Sequence, residues 1–283
     1  MKTLLIPIDF SSTSDNTIDF ALQWAKAYDY EKVILLKTFY DTLFDNLISS
    51  ADYMHVNSDY LTKERSEALN RLTEMNEQLQ LKAGSNIQVT VEVSELPLLR
   101  AILAVIEEDQ PELIVIGSDN YSYESNSLIA SKVISIAKIS PIRVLIVPGD
   151  YKYKTVNQAL VPVNFNTVET LGKLGNDHTA SQKWKDKKLL VLNIDAKEKY
   201  LNPDEGFKKA ETAVHDYLKN FQHELFYSNN KNIINGIMDF SKQHDVQIVV
   251  ALPGKYSFLY SLTHKSITEA IYKNAKEPVL ILK

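Results

Sequence analysis

The chain has 283 residues, of which 45% are hydrophobic and 24% charged, and this length and composition suit a globular protein of two ordinary domains. It contains no cysteine, which excludes a disulfide framework, a thiol nucleophile and a thiolate metal site. The formal net charge of −5 and the lack of a basic run argue against a nucleic-acid partner, and no apolar run approaches the roughly 18 residues of a membrane span.

Charge is distributed unevenly along the chain. Residues 1–150 carry 12 Lys and Arg against 22 Asp and Glu, whereas residues 151–283 carry 19 against 14. The simpler interpretation is two solvated surfaces of different sign, and the alternative is that opposite fields help two halves to dock.

The N-terminus passes directly into a strand pattern without the regions of a signal peptide, so we expect a cytoplasmic protein.

The first half alternates short apolar runs with amphipathic segments. The runs predict strands at 3–9, 32–38, 86–93, 112–117 and 142–147. The segments between them predict helices at 13–28, 58–82, 96–108 and 125–139. Because strands and helices alternate, we expect a doubly wound parallel sheet with helices on both faces.

The second half repeats this order. The opening pattern Pro7-Ile8-Asp9-Phe10 returns as Pro162-Val163-Asn164-Phe165. Strands are predicted at 156–163, 187–194, 223–228, 246–251 and 278–282, and helices at 167–182, 203–221, 231–244 and 262–275. The repetition predicts an α/β chain of two tandem five-stranded parallel-sheet domains, 1–150 and 151–283, that pack as an intramolecular pair across a short joint at 148–151.

Helix starts are marked by capping signals. Ser12, Asn166 and Asn202 are the predicted N-caps, and Pro203 follows the last of them. A further capping box begins at Ser266. None of the 6 histidines forms a His-x3-His pair or an HExxH motif, so we expect no metal site.

The loop after the fourth strand carries a motif with defined spacing. Gly117 is followed at the spacing Gly-x2-Gly-x9-Gly-Ser/Thr by Asn120 and by Ala130-Ser131. With this spacing and an opening strand that ends Pro-x-Asp, the chain resembles the universal stress protein family. The resemblance covers essentially the whole chain, once in each half. It implies a Rossmann-like, adenine nucleotide α-hydrolase-like fold. In the ATP-binding members of that family the aspartate helps to hold adenosine and the loop holds phosphates. The resemblance implies nucleotide contacts at Asp9, Gly117, Asn120, Ala130 and Ser131, with ATP, ADP or AMP and Mg²⁺ as the ligand.

The same frame is more degenerate in the second half. Its equivalent positions are Asn164, Ala251, Gly254, Lys265 and Ser266. Only the middle glycine of the loop remains there, and Asn164 replaces the aspartate. We therefore expect these residues not to bind a nucleotide.

Several functions stay open at this stage. Asp9 also suits a helix cap, Gly117 also suits an ordinary turn, and no Lys or Arg lies between Gly117 and Ser131 to neutralise phosphate. No nucleophile elbow or Walker lysine is present, so we expect no catalytic residues and no enzyme.

The leading hypothesis is a non-catalytic stress-response or signalling module, with nucleotide in the first half and with unknown protein partners or a homodimer. The alternatives are a slow ATP-hydrolysing switch and a protein-interaction module without ligand. For residues 40–57 three interpretations stay open, namely a lid, a helix extension and an interface.

Overall fold

The strands and helices of the first half follow the predicted order. The computed structural model describes residues 1–39, 58–119, 128–175, 180–252 and 276–283. The first half contains β1 (Thr3–Ile8), α1 (Ser12–Ala27), β2 (Lys32–Thr38), α2 (Ser58–Ala83), β3 (Gln88–Ser94), α3 (Leu98–Asp109), β4 (Leu113–Ser118), α4 (Leu128–Ile139) and β5 (Arg143–Pro148).

The second half repeats the strand order with shorter helices. It contains β6 (Gln158–Val163), a 3₁₀ segment (Phe165–Leu171), α5 (Gly172–Gly175), α6 (Ala180–Lys185), β7 (Lys188–Ile194), a 3₁₀ turn (Lys199–Leu201), α7 (Glu205–Tyr217), β8 (Gln222–Ser228), α8 (Ile233–Gln243), β9 (Ile248–Ala251) and β10 (Val279–Ile281). In both halves the predicted strands end within about two residues of those observed. The predicted helix at 262–275 lies outside the described residues.

The strands of the described chain form one sheet, in the order β3-β2-β1-β4-β5-β10-β9-β6-β7-β8. Neighbouring strands are parallel except for β5 and β10, which pair antiparallel. Each half therefore has the same doubly wound order, and the predicted α/β fold class is confirmed. The domain boundary at residue 150 stays a prediction.

The junction between the halves was not predicted as a continuous sheet. Val144, Leu145 and Ile146 of β5 pair with Ile281, Leu280 and Val279 of β10. Both strands are apolar and buried, and each is the last strand of its own half. An unpaired apolar edge strand exposes backbone N–H and C=O groups. The pairing of β5 with β10 therefore provides hydrogen-bond partners for the edge strands of both halves.

Helices cover both faces of the sheet. One core packs α1 and α2 against alternate strand residues such as Leu4 and Ile6, and the other packs α3, α4 and α8 against the opposite face, which includes Leu5. Strand residues are buried on both sides, which explains the continuous apolar runs of the sequence.

The start of the helix predicted at 167–182 is wrong. A 3₁₀ segment begins after Asn164 and contains Thr167 at φ −140°, and α-helix begins only at Gly172, with α5; residues 176–179 lie outside the described residues. The amide oxygen of Asn164 accepts from the Asn166 N–H at 2.9 Å, which favours a local turn over helix propagation. Gly172 and Gly175 add to the cost of a helix in this segment.

The N-caps differ from those predicted by a residue or two. Ser11 rather than Ser12 caps α1 and accepts from the Ser14 N–H at 3.2 Å. Asp204 rather than Asn202 caps α7 and accepts from the Phe207 N–H at 2.7 Å. In both cases the side chain at the observed cap reaches the third N–H of the helix, which the neighbouring residue does not do. The capping box at Ser266 lies outside the described residues.

Candidate functional site

Asp9 joins three elements at the carboxyl end of the first half of the sheet. It follows β1, whose neighbours are β2 and β4, and this is the point at which the strand order changes direction. Its Oδ1 accepts from the Ser11 N–H at 3.1 Å, from Ser11 Oγ at 2.6 Å and from Ser14 Oγ at 2.7 Å. Its Oδ2 accepts from the Ile129 N–H, in the first turn of α4, at 3.2 Å. In doubly wound sheets, ligands bind in the crevice at such a switch point.

The two parts of the site predicted from the sequence therefore meet. Ala130 and Ser131 follow Ile129 in the first turn of α4, so the carboxylate of Asp9 faces the helix end that was predicted to hold phosphate. The N-terminus of a helix carries partial positive charge and unpaired N–H groups, so an anion is stabilised there. The carboxylate provides that negative charge from within the chain.

Gly117 is buried in β4 and lies against α1. A Cβ on Gly117 would be 2.4 Å from Thr17 Oγ1 and 2.6 Å from Thr13 Cγ2, both closer than atoms can pack. The glycine thus permits close contact between strand and helix, and its backbone is not in the left-handed region. This packing role has no need of a ligand, and a contact between Gly117 and a nucleotide stays a prediction.

The remaining predicted residues are only partly placed. Asn120 lies outside the described residues, as do Gly254, Lys265 and Ser266 of the second half. Asn164 follows β6 and caps the 3₁₀ segment, and Ala251 is buried at the end of the neighbouring strand β9. The two halves therefore present equivalent strand ends, with an aspartate in one and an asparagine in the other.

Positive charge lies against the ring of Phe10, the residue after Asp9, and was not predicted from the sequence. The Arg71 guanidinium lies 4.3 Å from the centroid of the Phe10 ring, and Lys37 Nζ lies 5.3 Å from the same ring. Lys37 Nζ is also 5.6 Å from the Phe39 ring, and the Arg65 guanidinium is 5.7 Å from it. We call Phe10, Lys37, Phe39, Arg65 and Arg71 the cation–aromatic cluster. Phe10 holds φ of 62°, a left-handed conformation that costs a bulky residue free energy and is often found at functional sites.

Only one sequence signal could have indicated this cluster. Lys37 directly follows the apolar run 33–36 of β2 and is only 8% exposed, and a buried lysine needs compensation by nearby groups. Arg65 and Arg71 lie on α2, far from Lys37 in sequence, and nothing in their spacing connects them with β1 or β2. Their convergence is a consequence of the tertiary fold.

The equivalent place in the second half is aromatic. Since Ile8 pairs with Lys37 and Val163 pairs with Asn193, Asn193 takes the place of the lysine, and it donates to the Val163 carbonyl at 3.1 Å. Phe165, the counterpart of Phe10, packs on Phe207 with ring centroids 4.7 Å apart.

Tyr227 completes this aromatic group without adding positive charge. Its ring centroid is 6.1 Å from that of Phe165, and its hydroxyl donates to Glu211 Oε1 at 2.5 Å. Burial, and next the hydrogen bond to Glu211, raise the pKa of the Tyr227 phenol above its usual value. The second half therefore offers rings and neutral donors where the first offers cations.

Other functional features are limited in the part of the chain that the structure describes. Within those ranges no group of three or more His, Cys, Asp or Glu side chains is arranged to hold a metal ion. None of the helices in the same ranges is long and apolar enough to cross a membrane.

Comparison with known proteins identifies the class and then the family. The strand order and the crevice at its switch point define a doubly wound, Rossmann-like α/β protein. The family model for the universal stress protein family matches residues 1–148, more than half of the chain, and the chain belongs to that family. Among curated proteins, none matches the sequence significantly.

Solved structures agree with the fold over the full length. A universal stress protein from Archaeoglobus fulgidus DSM 4304 is 14% identical, with a TM-score of 0.66, and the match covers 99% of this chain and 96% of that one. A putative universal stress protein from Pseudomonas aeruginosa UCBPP-PA14 is 13% identical, with a TM-score of 0.58 and coverage of 100% and 93%. At these identities the likeness shows the fold alone.

Proposed function

We propose that the chain is a non-catalytic stress-response or signalling protein whose first half binds an adenine nucleotide at the carboxyl end of β1 and β4. The observation that carries this proposal is the hydrogen bond between Asp9 and the Ile129 N–H, which brings the aspartate of the family motif to the first turn of α4. Membership of the universal stress protein family supports the stress-response role, and the contact between Asp9 and α4 supports the position of the nucleotide site.

The cation–aromatic cluster supports an anionic ligand. Residues 1–150 are strongly acidic, and an acidic surface opposes the approach of a polyphosphate. Lys37 and Arg71 lie against the ring of Phe10, the residue that follows Asp9, so they bring positive charge to the carboxyl end of β1. In a partly buried crevice such a charge attracts an anion more strongly than it would in open solvent, because the effective dielectric constant is lower.

The second half serves as a structural partner in this proposal. Asn164 and Asn193 replace an acid and a lysine, and Phe207 packs on Phe165, so among the residues that the structure describes these two positions carry no charge for sugar or phosphate. The antiparallel pair β5–β10 joins the halves as two subunits of a dimer would be joined. The fused pair then presents one ligand site per chain.

One observation favours a second candidate, a protein-interaction module without ligand. The Asp9 carboxylate already accepts from Ser11, Ser14 and Ile129, which is the pattern of a brace between β1, α1 and α4. A nucleotide would have to share this carboxylate or displace one of its donors.

Thermal melts with and without millimolar MgATP, MgADP or MgAMP distinguish the two candidates. A ligand that binds only the folded chain raises the melting temperature by mass action. We expect a rise in the wild type, a smaller rise in Arg71→Gln, and the wild-type rise in the control Arg100→Gln, which alters an exposed arginine on α3. No rise with any of the three nucleotides would favour the module without ligand. ATP turnover above background would contradict the non-catalytic role.

A further inference from the structure

Two histidines of the second half lie in direct contact at the edge of the sheet opposite to the candidate site. His215 belongs to the last turn of α7, and His223 is the second residue of β8. Nδ1 of His215 is 2.8 Å from Nε2 of His223, the ring centroids are 5.1 Å apart, and the ring planes meet at 38°. The contact joins an exposed ring to a half-buried one.

The backbone fixes which nitrogen of His223 faces its neighbour as an acceptor. Nδ1 of His223 lies 3.0 Å from the carbonyl oxygen of Phe221, and because a carbonyl can only accept, Nδ1 must carry the hydrogen. The Nε2 of the neutral ring then holds a lone pair directed at His215. Proteins orient metal-ligating histidines in this way, with the remote N–H donated to a carbonyl or carboxylate.

We propose that His215 and His223 form a two-histidine site for a divalent transition-metal ion. In the metal-free pair, the hydrogen on Nδ1 of His215 lies between the two nitrogens. On binding, the metal displaces that hydrogen and bridges the two nitrogens from a position beside the line that joins them, and His215 changes to the tautomer protonated at its exposed Nε2. The step releases no net proton and changes no oxidation state, since both rings stay neutral.

The separation of the two nitrogens selects the kind of metal. Two nitrogens each about 2.0–2.1 Å from a metal are about 2.9 Å apart at a right angle and about 3.3 Å apart at a tetrahedral angle. The observed 2.8 Å therefore suits adjacent positions of a square or tetragonal site. Cu²⁺ and Ni²⁺ favour that geometry with imidazole ligands, and Cu²⁺ is the tightest binder among the divalent ions of its row.

The remaining coordination positions belong to water in this proposal. Within the described ranges no third His, Asp or Glu completes the site. Affinity therefore depends on both imidazoles, and the loss of either one removes half of the protein ligands. The spacing of the pair, eight residues across a helix end and a strand start, matches no sequence motif, so a metal site was not predicted from the sequence.

Calorimetric titration with Cu²⁺ and with Ni²⁺ tests the proposal. We expect binding of one ion per chain, weakened about tenfold or more in both His215→Gln and His223→Gln, a loss typical of impaired metal sites. His244→Gln is the matched control, because its imidazole bonds to the Phe240 carbonyl at 2.9 Å and does not belong to the pair. Equal titrations of the wild type and both variants would overturn the proposal.

A second measurement does not depend on how well the variants fold. The electron paramagnetic resonance spectrum of the wild type with one equivalent of Cu²⁺ should show hyperfine structure from two imidazole nitrogens. A spectrum without nitrogen coupling would overturn the proposal on its own. Urea midpoints of both variants, measured without metal, should stay close to the wild-type value, which separates lost ligands from lost structure.

Discussion

Replacing Gly117 with alanine would place a methyl group inside the contact between β4 and α1. The new Cβ would lie 2.4 Å from Thr17 Oγ1 and 2.6 Å from Thr13 Cγ2, whereas carbon atoms in favourable contact are about 3.5–4.0 Å apart. Both threonines are buried, and Thr17 Oγ1 donates to the Thr13 carbonyl at 2.7 Å, so neither side chain can turn away freely. Overpacking of this kind costs about 1–3 kcal/mol, and we expect G117A to lower the free energy of unfolding by that amount.

Urea denaturation measures this loss directly. The chain contains 2 tryptophans, Trp24 and Trp184, both buried, so their fluorescence reports unfolding. Gly172→Ala is the control, because its Cβ would meet only the Tyr217 ring at 3.6 Å, an ordinary contact. The control should be no less stable than the wild type, because alanine favours a helical backbone more than glycine does. If G117A unfolds at the wild-type midpoint with an unchanged slope, the packing argument for this glycine is refuted.

A double-mutant cycle separates the steric cost from other effects. Thr17→Ala removes the atom nearest to the new methyl group, so in that background G117A should cost less than it does in the wild type. Contacting pairs of this kind couple by about 0.5–3 kcal/mol. A coupling energy near zero would mean that β4 and α1 move apart to accommodate the new methyl group, so that the steric clash with Thr17 does not cause the loss of stability.

Three further perturbations follow from the same structure. Asp9→Asn places an amide NH₂ group opposite the Ile129 N–H or the serine donors. In urea denaturation without nucleotide, we expect it to lower the free energy of unfolding by about 1–3 kcal/mol. An unchanged midpoint would mean that Asp9 does not brace β1, α1 and α4. Asp204→Ala removes the N-cap of α7 and should cost about 1 kcal/mol, measured in the same way against the exposed control Asp216→Ala. Burial raises the pKa of the Tyr151 phenol from 10.0 to about 12, so the folded chain holds this proton more tightly than the unfolded chain. The contribution of Tyr151 to stability is complete below pH 10 and is lost as the pH rises through about 12; the urea midpoint of Tyr151→Phe should therefore fall less steeply than that of the wild type over this range, and parallel curves would contradict the shift.

The fold was predictable because its signals are local. Continuous apolar runs mark strands buried on both faces, and their alternation with amphipathic segments implies parallel pairing with helical crossovers. The pairing of β5 with β10 is different in kind, since each strand looks like an ordinary edge and nothing in the sequence states which edge meets which. The helix predicted from residue 167 begins only at Gly172, because Asn164 forms a local turn and the backbone of Thr167 leaves the helical region.

The candidate site was predictable only in its motif residues. Asp9 and the start of α4 were predicted together, and the structure brings them into hydrogen-bonding contact. The cations beside them were not predicted, because Lys37 and Arg71 come from β2 and α2 and meet only around Phe10. The pair His215 and His223 was missed for the same reason, since its contact is formed by a helix end and a strand start.

Calorimetric titration of MgATP into the chain, with a count of bound nucleotides, tests the central claim most directly. The account predicts one nucleotide per 283-residue chain, with the same stoichiometry but weaker affinity in Arg71→Gln. Two nucleotides per chain would contradict the structural role given to the second half. No binding of ATP, ADP or AMP would contradict the ligand site itself.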